Sequence, residues 1–395
     1  MFAVLPIARK VLARLIAVLS ILWIAACEPM GPGGGGGGAG QPIDPGAPVS
    51  VALLVPHGSN APGEAALARD LEAAARMAVA DLGGVKIDLR VYGTAGQPGQ
   101  AQQAALNAVA DGAKIIIGPL HAESANAVAV AVAPKNVNVL AFSNNPTIAG
   151  GNLFILGQTF DNTADRLTRY AARQSKGRIL TVYSNNLAGQ LGQQAIAKAA
   201  ANSGAQIVGN VPYDFSQDGV VAAVPQIVSS ARTNSADAIF LTANSAGALP
   251  LFAQMLPENG LDAASMQYIG LARWDTPAQT LELPGLQGGW FAMPDTGKAA
   301  RFQARFQQTN GNQPHPIAGL AYDGIAAVGA LVKTGKRDAL SKSSLTQSAG
   351  FQGVDGVFRL RRDGTNQRGL AVATVRDKKV VILDPAPRGF GGAGF

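Results

Sequence analysis

Short apolar runs alternate with Ala-rich segments of helical length through most of this chain. The alternation is clearest in Lys114–Asn145, KIIIGPLHAESANAVAVAVAPKNVNVLAFSNN. Lys114–Ile117 is, after its lysine, a short apolar β-branched run, as expected of a strand buried on both faces of a parallel sheet. Gly118-Pro119 ends it. Glu123–Ala133 has helical length and stops at Pro134, and Val137–Phe142 is the next strand. Such strand–helix–strand units fold into open sheets whose ligands bind beyond the carboxyl ends of the strands. Here two successive strand ends carry small polar groups. The first offers His121, Ser124 and the N–H groups of a helix start, which suit a carboxylate. The second offers Ser143, Asn144 and Asn145. The plainer role for these residues is a helix cap at Ser124 and an ordinary turn at Ser143–Asn145.

The same alternation extends in both directions. Val51–Val55, Lys86–Tyr92 and Leu153–Gly157 read as strands, with helices over Glu64–Asp81 and Gln100–Asp111. The pattern then restarts. Helices are expected at Asp161–Gln174, Leu191–Asn202, Val220–Ala231 and Gly247–Leu256, and strands at Arg178–Tyr183, Gln206–Val211, Ala238–Thr242 and Gln267–Gly270. Gly288–Met293 is a further strand, followed by helices over Ala299–Thr309 and Ile317–Thr334. The tail Val354–Arg361, Gly369–Arg376 and Lys379–Leu383 reads as a β-meander. Two consecutive α/β units point to two lobes of doubly wound, Rossmann-like architecture. A chain of 395 residues with 47% apolar content can fill both cores.

The amino terminus has a different character. Arg9, Lys10 and Arg14 precede an apolar segment, Leu15–Ala26, shorter than the ~20 residues a membrane-spanning helix needs. This is the layout of a signal peptide over 1–26. It ends in Ile24-Ala25-Ala26-Cys27, which resembles the bacterial lipobox, and Cys27 is the only cysteine, so no disulfide can form within the chain. Acylation of Cys27 would give a stable membrane anchor. Glu28 stands where an Asp would favour inner-membrane retention, so the expected location is the periplasmic face of the outer membrane. Residues 27–49, with Gly33–Gly38 uninterrupted and Pro32, Pro42, Pro45 and Pro48 nearby, are expected to be a flexible tether. Removal of the leader takes the net charge from +7 to +4, with no basic run interleaved with aromatics, which argues against nucleic acid as a partner.

Ile115–Leu120, Val139–Pro146, Phe154–Gly157 and the tail GVDGVFRLRRDGTNQRGLAVATVRDKKVVILDPAP together resemble the type I periplasmic-binding fold. Within it the chain is similar to leucine/isoleucine/valine-binding proteins and to lipoprotein activators of penicillin-binding proteins, the tail most resembling the latter. The resemblance implies lobe one over 50–157 and 294–340 and lobe two over 158–286 and 350–386. It implies crossings near Gly157, Gly289–Pro294 and Gly350, and a disordered end over 387–395. It also implies a cleft between the lobes. There Ser124 and Asn144 fall near the positions that hold a ligand α-carboxylate, and Asp275 near the position that meets the ammonium. The loop Ser184–Gly189 lacks the aromatic that relatives place on the ligand.

No chemistry for turnover is apparent. His57, His121 and His315 lack metal-ligand spacing, there is no nucleophile elbow, and no cofactor or metal is expected. Glu64, Asp70 and Glu72 read as a charged solvated helix face, and Trp274 and Trp290 as buried aromatics. The expected function is therefore non-catalytic: a lipoprotein that binds and activates a peptidoglycan synthase, a bifunctional penicillin-binding protein. The alternative is a lipid-anchored substrate-binding protein of an importer for amino acids or related amides, with a small polar ligand in the cleft.

Overall fold

The computed structural model describes residues 40–391; the leader, Cys27 and most of the expected tether lie outside them. The first sheet is five-stranded and parallel, in the order β2-β1-β3-β4-β5. Its strands are β1 (Val49–Val55), β2 (Ile87–Gly93), β3 (Ile115–Ile117), β4 (Asn138–Ala141) and β5 (Leu153–Ile155). Val51 faces Ile115, Ile115 faces Asn138, and Val139 faces Leu153 across the ladder. α2 (Pro98–Ala110) and α3 (Ala122–Val132) cover one face through Ala101, Ala105, Val128 and Val132. α1 (Glu64–Asp81), α8 (Thr296–Asn310) and α9 (Gly319–Val332) cover the other through Leu71, Phe306 and Ile325. The central strands are buried on both sides, which is why they read as unbroken apolar runs rather than alternating ones.

The second sheet has seven strands, β15-β14-β10-β9-β8-β6-β7. β6 (Arg178–Ser184), β7 (Gln206–Tyr213), β8 (Ala238–Leu241), β9 (Gln267–Gly270) and β10 (Trp290–Met293) are parallel. β14 (Ala371–Arg376) and β15 (Lys379–Asp384) extend the sheet antiparallel. α4 (Phe160–Arg173) and α5 (Leu187–Ala201) pack on one face around Leu167, Ile196 and Phe240. α6 (Gln217–Thr233) and α7 (Leu249–Glu258) pack on the other around Ile227, Phe252 and Phe291. The molecule is thus a two-lobed α/β protein of doubly wound, Rossmann-like lobes.

The tail divides instead of forming one meander. β11 (Phe351–Gly353), β12 (Gly356–Leu360) and β13 (Asn366–Arg368) make a separate antiparallel sheet, preceded by the short helix α10 (Lys342–Leu345). Phe351, Phe358 and Leu360 drop into the core of the first lobe, so the chain joins the second sheet only at Ala371, later than the crossing expected near Gly350. Two further expectations change. The end of the tether is docked: Ile43 is buried in the first core, its N–H donates to Arg337 O (2.9 Å), and Gln41 Nε2 donates to Lys135 O. At the other end, within the stretch expected to be disordered, the Phe390 ring lies under the Arg359 guanidinium at 4.5 Å. An apolar or aromatic side chain among glycines and prolines is what holds each segment down.

Candidate functional site

The carboxyl ends of β1 to β4 converge on one edge of the first lobe. Gly118, after β3, has φ +91°, and a Cβ there would sit 2.2 Å from Leu54 O, so only glycine lets β3 and β1 approach so closely at this edge. A cis Gly118-Pro119 bond follows, and the Phe142 N–H donates to Pro119 O (2.9 Å), tying the turn after β3 to the end of β4. The two polar turns singled out by sequence are therefore neighbours.

Within this edge the predicted residues play different parts. His121, not Ser124, occupies the N-cap of α3, and it gives no side-chain capping bond. The first-turn N–H groups of α3 thus lack both an intrahelical and a side-chain acceptor. Ser124 lies one turn inside, 1% exposed, its Oγ buried with no hydrogen-bond partner. A buried hydroxyl left unpaired costs about 1–3 kcal/mol, so this atom marks a place where a partner is expected. Ser143 and Asn145 keep the plainer role: Ser143 Oγ accepts from Asn145 N (3.1 Å), and Asn145 Oδ1 accepts from Thr147 N (3.0 Å). Asn144 between them is exposed, and its side chain has no hydrogen bond among the described residues.

Glu64 was legible only as part of a charged face, and the structure corrects that reading. It opens α1 beside the strand ends, 15% exposed at its side chain, with Oε1 2.7 Å from His121 Nε2 and Oε2 buried and unpartnered. Gly96, in the turn after β2, is so close that a Cβ there would come 2.9 Å from Glu64 Oε2 and 3.4 Å from Ser59 Oγ. Its helix-mates lie on a part-exposed face, as expected, but are paired. Glu72 pairs with His57 (2.9 Å) and Arg76 (2.7 Å), and those bonds hold its carboxyl below the ordinary range although burial pushes the other way. Asp70 accepts from His315 N (2.7 Å). The edge thus combines donors (Ser124, the α3 N-terminus, Asn144) with an acceptor carboxylate. Among the described residues no three His, Cys, Asp or Glu are grouped so as to hold a metal ion.

On the second lobe, Asp275 follows β9 and is held by Arg273 through two bonds, 2.9 and 2.6 Å. Its charge is compensated inside its own loop, and no contact brings it to Ser124 or Ser143. The turn after β6 is a cap: Asn186 Oδ1 accepts from Gly189 N (2.8 Å), which starts α5 four residues earlier than expected. Trp274 and Trp290 are core residues, 0% and 8% exposed. After β7, Phe215 is 62% exposed and lines a cavity of about 360 Å³ with Tyr213 and Leu251. Short polar residues around a single Phe hid it in the sequence.

The lobes are tied through the crossings themselves. Asn366 Nδ2 donates to both Ile155 O and Gly157 O (2.8 Å each), and Arg166 Nε donates to Leu370 O (2.6 Å). The Asp295 N–H donates to Asp355 O (2.9 Å). At the centre, Arg368 donates to Leu156 O through Nε (2.9 Å) and Nη2 (2.5 Å) and to Asp323 Oδ2 through Nη1 (3.2 Å). Asp323 is 0% exposed. Burial pushes its carboxyl up to about 6, against the attraction of Arg368 and with the repulsion of Asp355. Above its unfolded value, near 3.9, the folded protein holds a proton here that the unfolded chain has lost. The stability contributed by this shift is present below that value and is lost as pH rises toward 6. Urea midpoints of the wild type and of Asp323→Asn, compared from pH 4 to 7, should therefore diverge in the variant's favour as pH rises through this window. A difference independent of pH would refute the assignment.

A model of the family described as periplasmic binding protein matches residues 48–379. The chain belongs to the periplasmic binding protein family. No curated protein sequence is significantly similar to it. Solved structures share its fold at low identity. A branched-chain amino acid ABC transporter periplasmic ligand-binding protein from Burkholderia xenovorans is 18% identical, with a TM-score of 0.65, covering 85% of this chain and 96% of that one. The leucine-binding protein LivK from Thermotoga maritima is 16% identical, with a TM-score of 0.55 and coverage of 86% and 98%. A solute-binding protein of an ABC transporter from Rhodopseudomonas palustris, in complex with 3,4-dihydroxybenzoic acid, is 18% identical, with a TM-score of 0.57 and coverage of 86% and 98%. At these identities the likeness establishes the type I periplasmic-binding fold. Family membership carries a periplasmic location, and among the described residues no helix is long and apolar enough to cross a membrane.

Proposed function

We propose that this periplasmic binding protein is the solute-capturing component of an importer of the ABC class, taking a small carboxylate-bearing solute between its lobes. The observation that carries the reading is the buried, unpaired Ser124 hydroxyl in the first turn of α3, next to an uncapped helix start. A ligand carboxylate supplies the acceptor this group lacks. Asn144 adds a donor, and the Glu64–His121 pair favours a ligand that also carries an ammonium or hydroxyl group. The named ligands of the structural neighbours, 3,4-dihydroxybenzoic acid and benzoate, are carboxylates too. Activation of a penicillin-binding protein gains no comparable support, so the alternative named from the sequence displaces it.

The leader and Cys27 support lipid anchoring, and Glu28 supports the outer membrane over the inner. Calorimetric titration with leucine, valine, glutamine, benzoate and 3,4-dihydroxybenzoate should give saturable binding to at least one. A Kd of about 1 μM corresponds to ~8 kcal/mol. Heatless titrations across that panel, with saturable binding to a bifunctional penicillin-binding protein instead, would return the assignment to the activator. Palmitate labelling of the expressed protein, lost in Cys27→Ser, reports the anchor.

A further inference from the structure

A second cavity, of about 350 Å³, lies away from the strand-end edge, between α4, α5 and the hinge strand β13 with the turn before it. Its walls carry five basic side chains, Arg166, Arg169, Lys198, Arg361 and Arg368, against two acids, Asp161 and Asp165. The acids are already used: Asp161 pairs with Lys198 (3.3 Å) and Asp165 with Arg169 (3.0 Å). Arg368 is committed to Asp323. Arg166 is 4% exposed and shares Asp384 with Arg173, and its Nη1 has no hydrogen-bond partner. Burial holds its pKa below the ordinary arginine value, against the pull of Asp384. Arg361 is exposed and makes no ion pair among the described residues, although Asp363, two residues on, acts on it and on Lys198 from beyond contact distance.

We propose that this cavity binds a small oxyanion, a phosphate or a dicarboxylate. Two guanidinium forks remain available in it, the buried Nη1 side of Arg166 and the exposed Arg361, and such forks recognise planar or tetrahedral oxyanions through paired hydrogen bonds. The occupant would bridge the helices of the second lobe to the segment that packs with the first. The site shares no residue with the strand-end edge, so it stands or falls apart from the capture of a solute there.

The test is titration of the intact protein with inorganic phosphate and, separately, with succinate, at an ionic strength fixed with sodium chloride. One of the two should bind saturably with a Kd of about 1 mM or tighter. Arg361→Ala should weaken that binding at least ~10-fold, and Arg361→Lys should restore part of it. Phosphate alone or succinate alone would each uphold the site and assign its chemistry. Absence of saturable binding by both up to tens of millimolar, or unchanged affinity in Arg361→Ala, would overturn it. Arg361 is exposed and its side chain makes no hydrogen bond, so the variant is expected to melt as the wild type does, and a matching melting curve is part of the test.

Discussion

Replacing Arg368 with Met should lower the unfolding free energy by about 3–5 kcal/mol at pH 8, the cost of stranding a buried charge by removing its partner. Asp323 would keep only its bond from Val354 N (2.8 Å), in a position with no exposed surface. Leu156 O would lose both of its guanidinium donors. The loss should shrink at pH 5, because there the Asp323 carboxyl can take up a proton instead of remaining an unpaired anion. The double variant Asp323→Leu, Arg368→Met should recover a large part of the stability, since a well-packed apolar pair often replaces a buried ion pair at little cost. Urea unfolding of the three variants at both pH values decides the matter. Equal losses at pH 5 and pH 8 would mean that Asp323 is not the stranded group.

Ser124→Ala should part stability from function. In the empty protein the Oγ has no partner, so its removal should leave the melting temperature unchanged or raise it by a few degrees. The affinity for the captured carboxylate should fall ~10–100-fold, that is by about 1.4–2.8 kcal/mol. A merely structural serine would give the opposite pair of results, a lowered melting temperature with unchanged affinity. One melting curve and one titration per variant distinguish the two.

Much of the fold was legible because buried parallel strands and Ala-rich helices differ plainly in length and composition. Helix α1 was expected over Glu64–Asp81 and runs over exactly that span, since Gly63 and the Leu82-Gly83-Gly84 turn punctuate both ends. Helix α5 was expected at Leu191 and begins at Leu187, because the Asn186 side chain caps a stretch that reads as loop when glycine is counted against helix. The tail went wrong for a different reason. Phe358 and Leu360 face the first core while Val372 and Val375 face the second, yet both strands show the same local alternation. Which sheet a strand joins is decided by distant surfaces, and no local pattern records it.

The strand-end edge was half legible on the same grounds. His121, Ser124, Ser143 and Asn144 could be placed at this edge from their position after strands, which the topology fixes. Glu64 was missed because an acid in the first turn of a helix is commonplace, favoured there by the helix dipole whatever its other uses. Only the fold brings it to His121, 57 positions further along the chain. Asp275 shows the converse: a neighbour two residues away, Arg273, claims its charge.

The docked segment beginning at Gly40 bears on how the molecule would carry a mechanical load. Gln41 and Ile43 grip Lys135 and Arg337, and Val49 N–H donates to Lys86 O, all at the amino-terminal edge of the first sheet, opposite the edge where Ser124 lies. A pull applied at residue 40 therefore enters the rigid back of one leaf and bypasses the crossings at Leu156, Asp295 and Leu370. The second leaf joins the first through those crossings, away from the segment that takes the load.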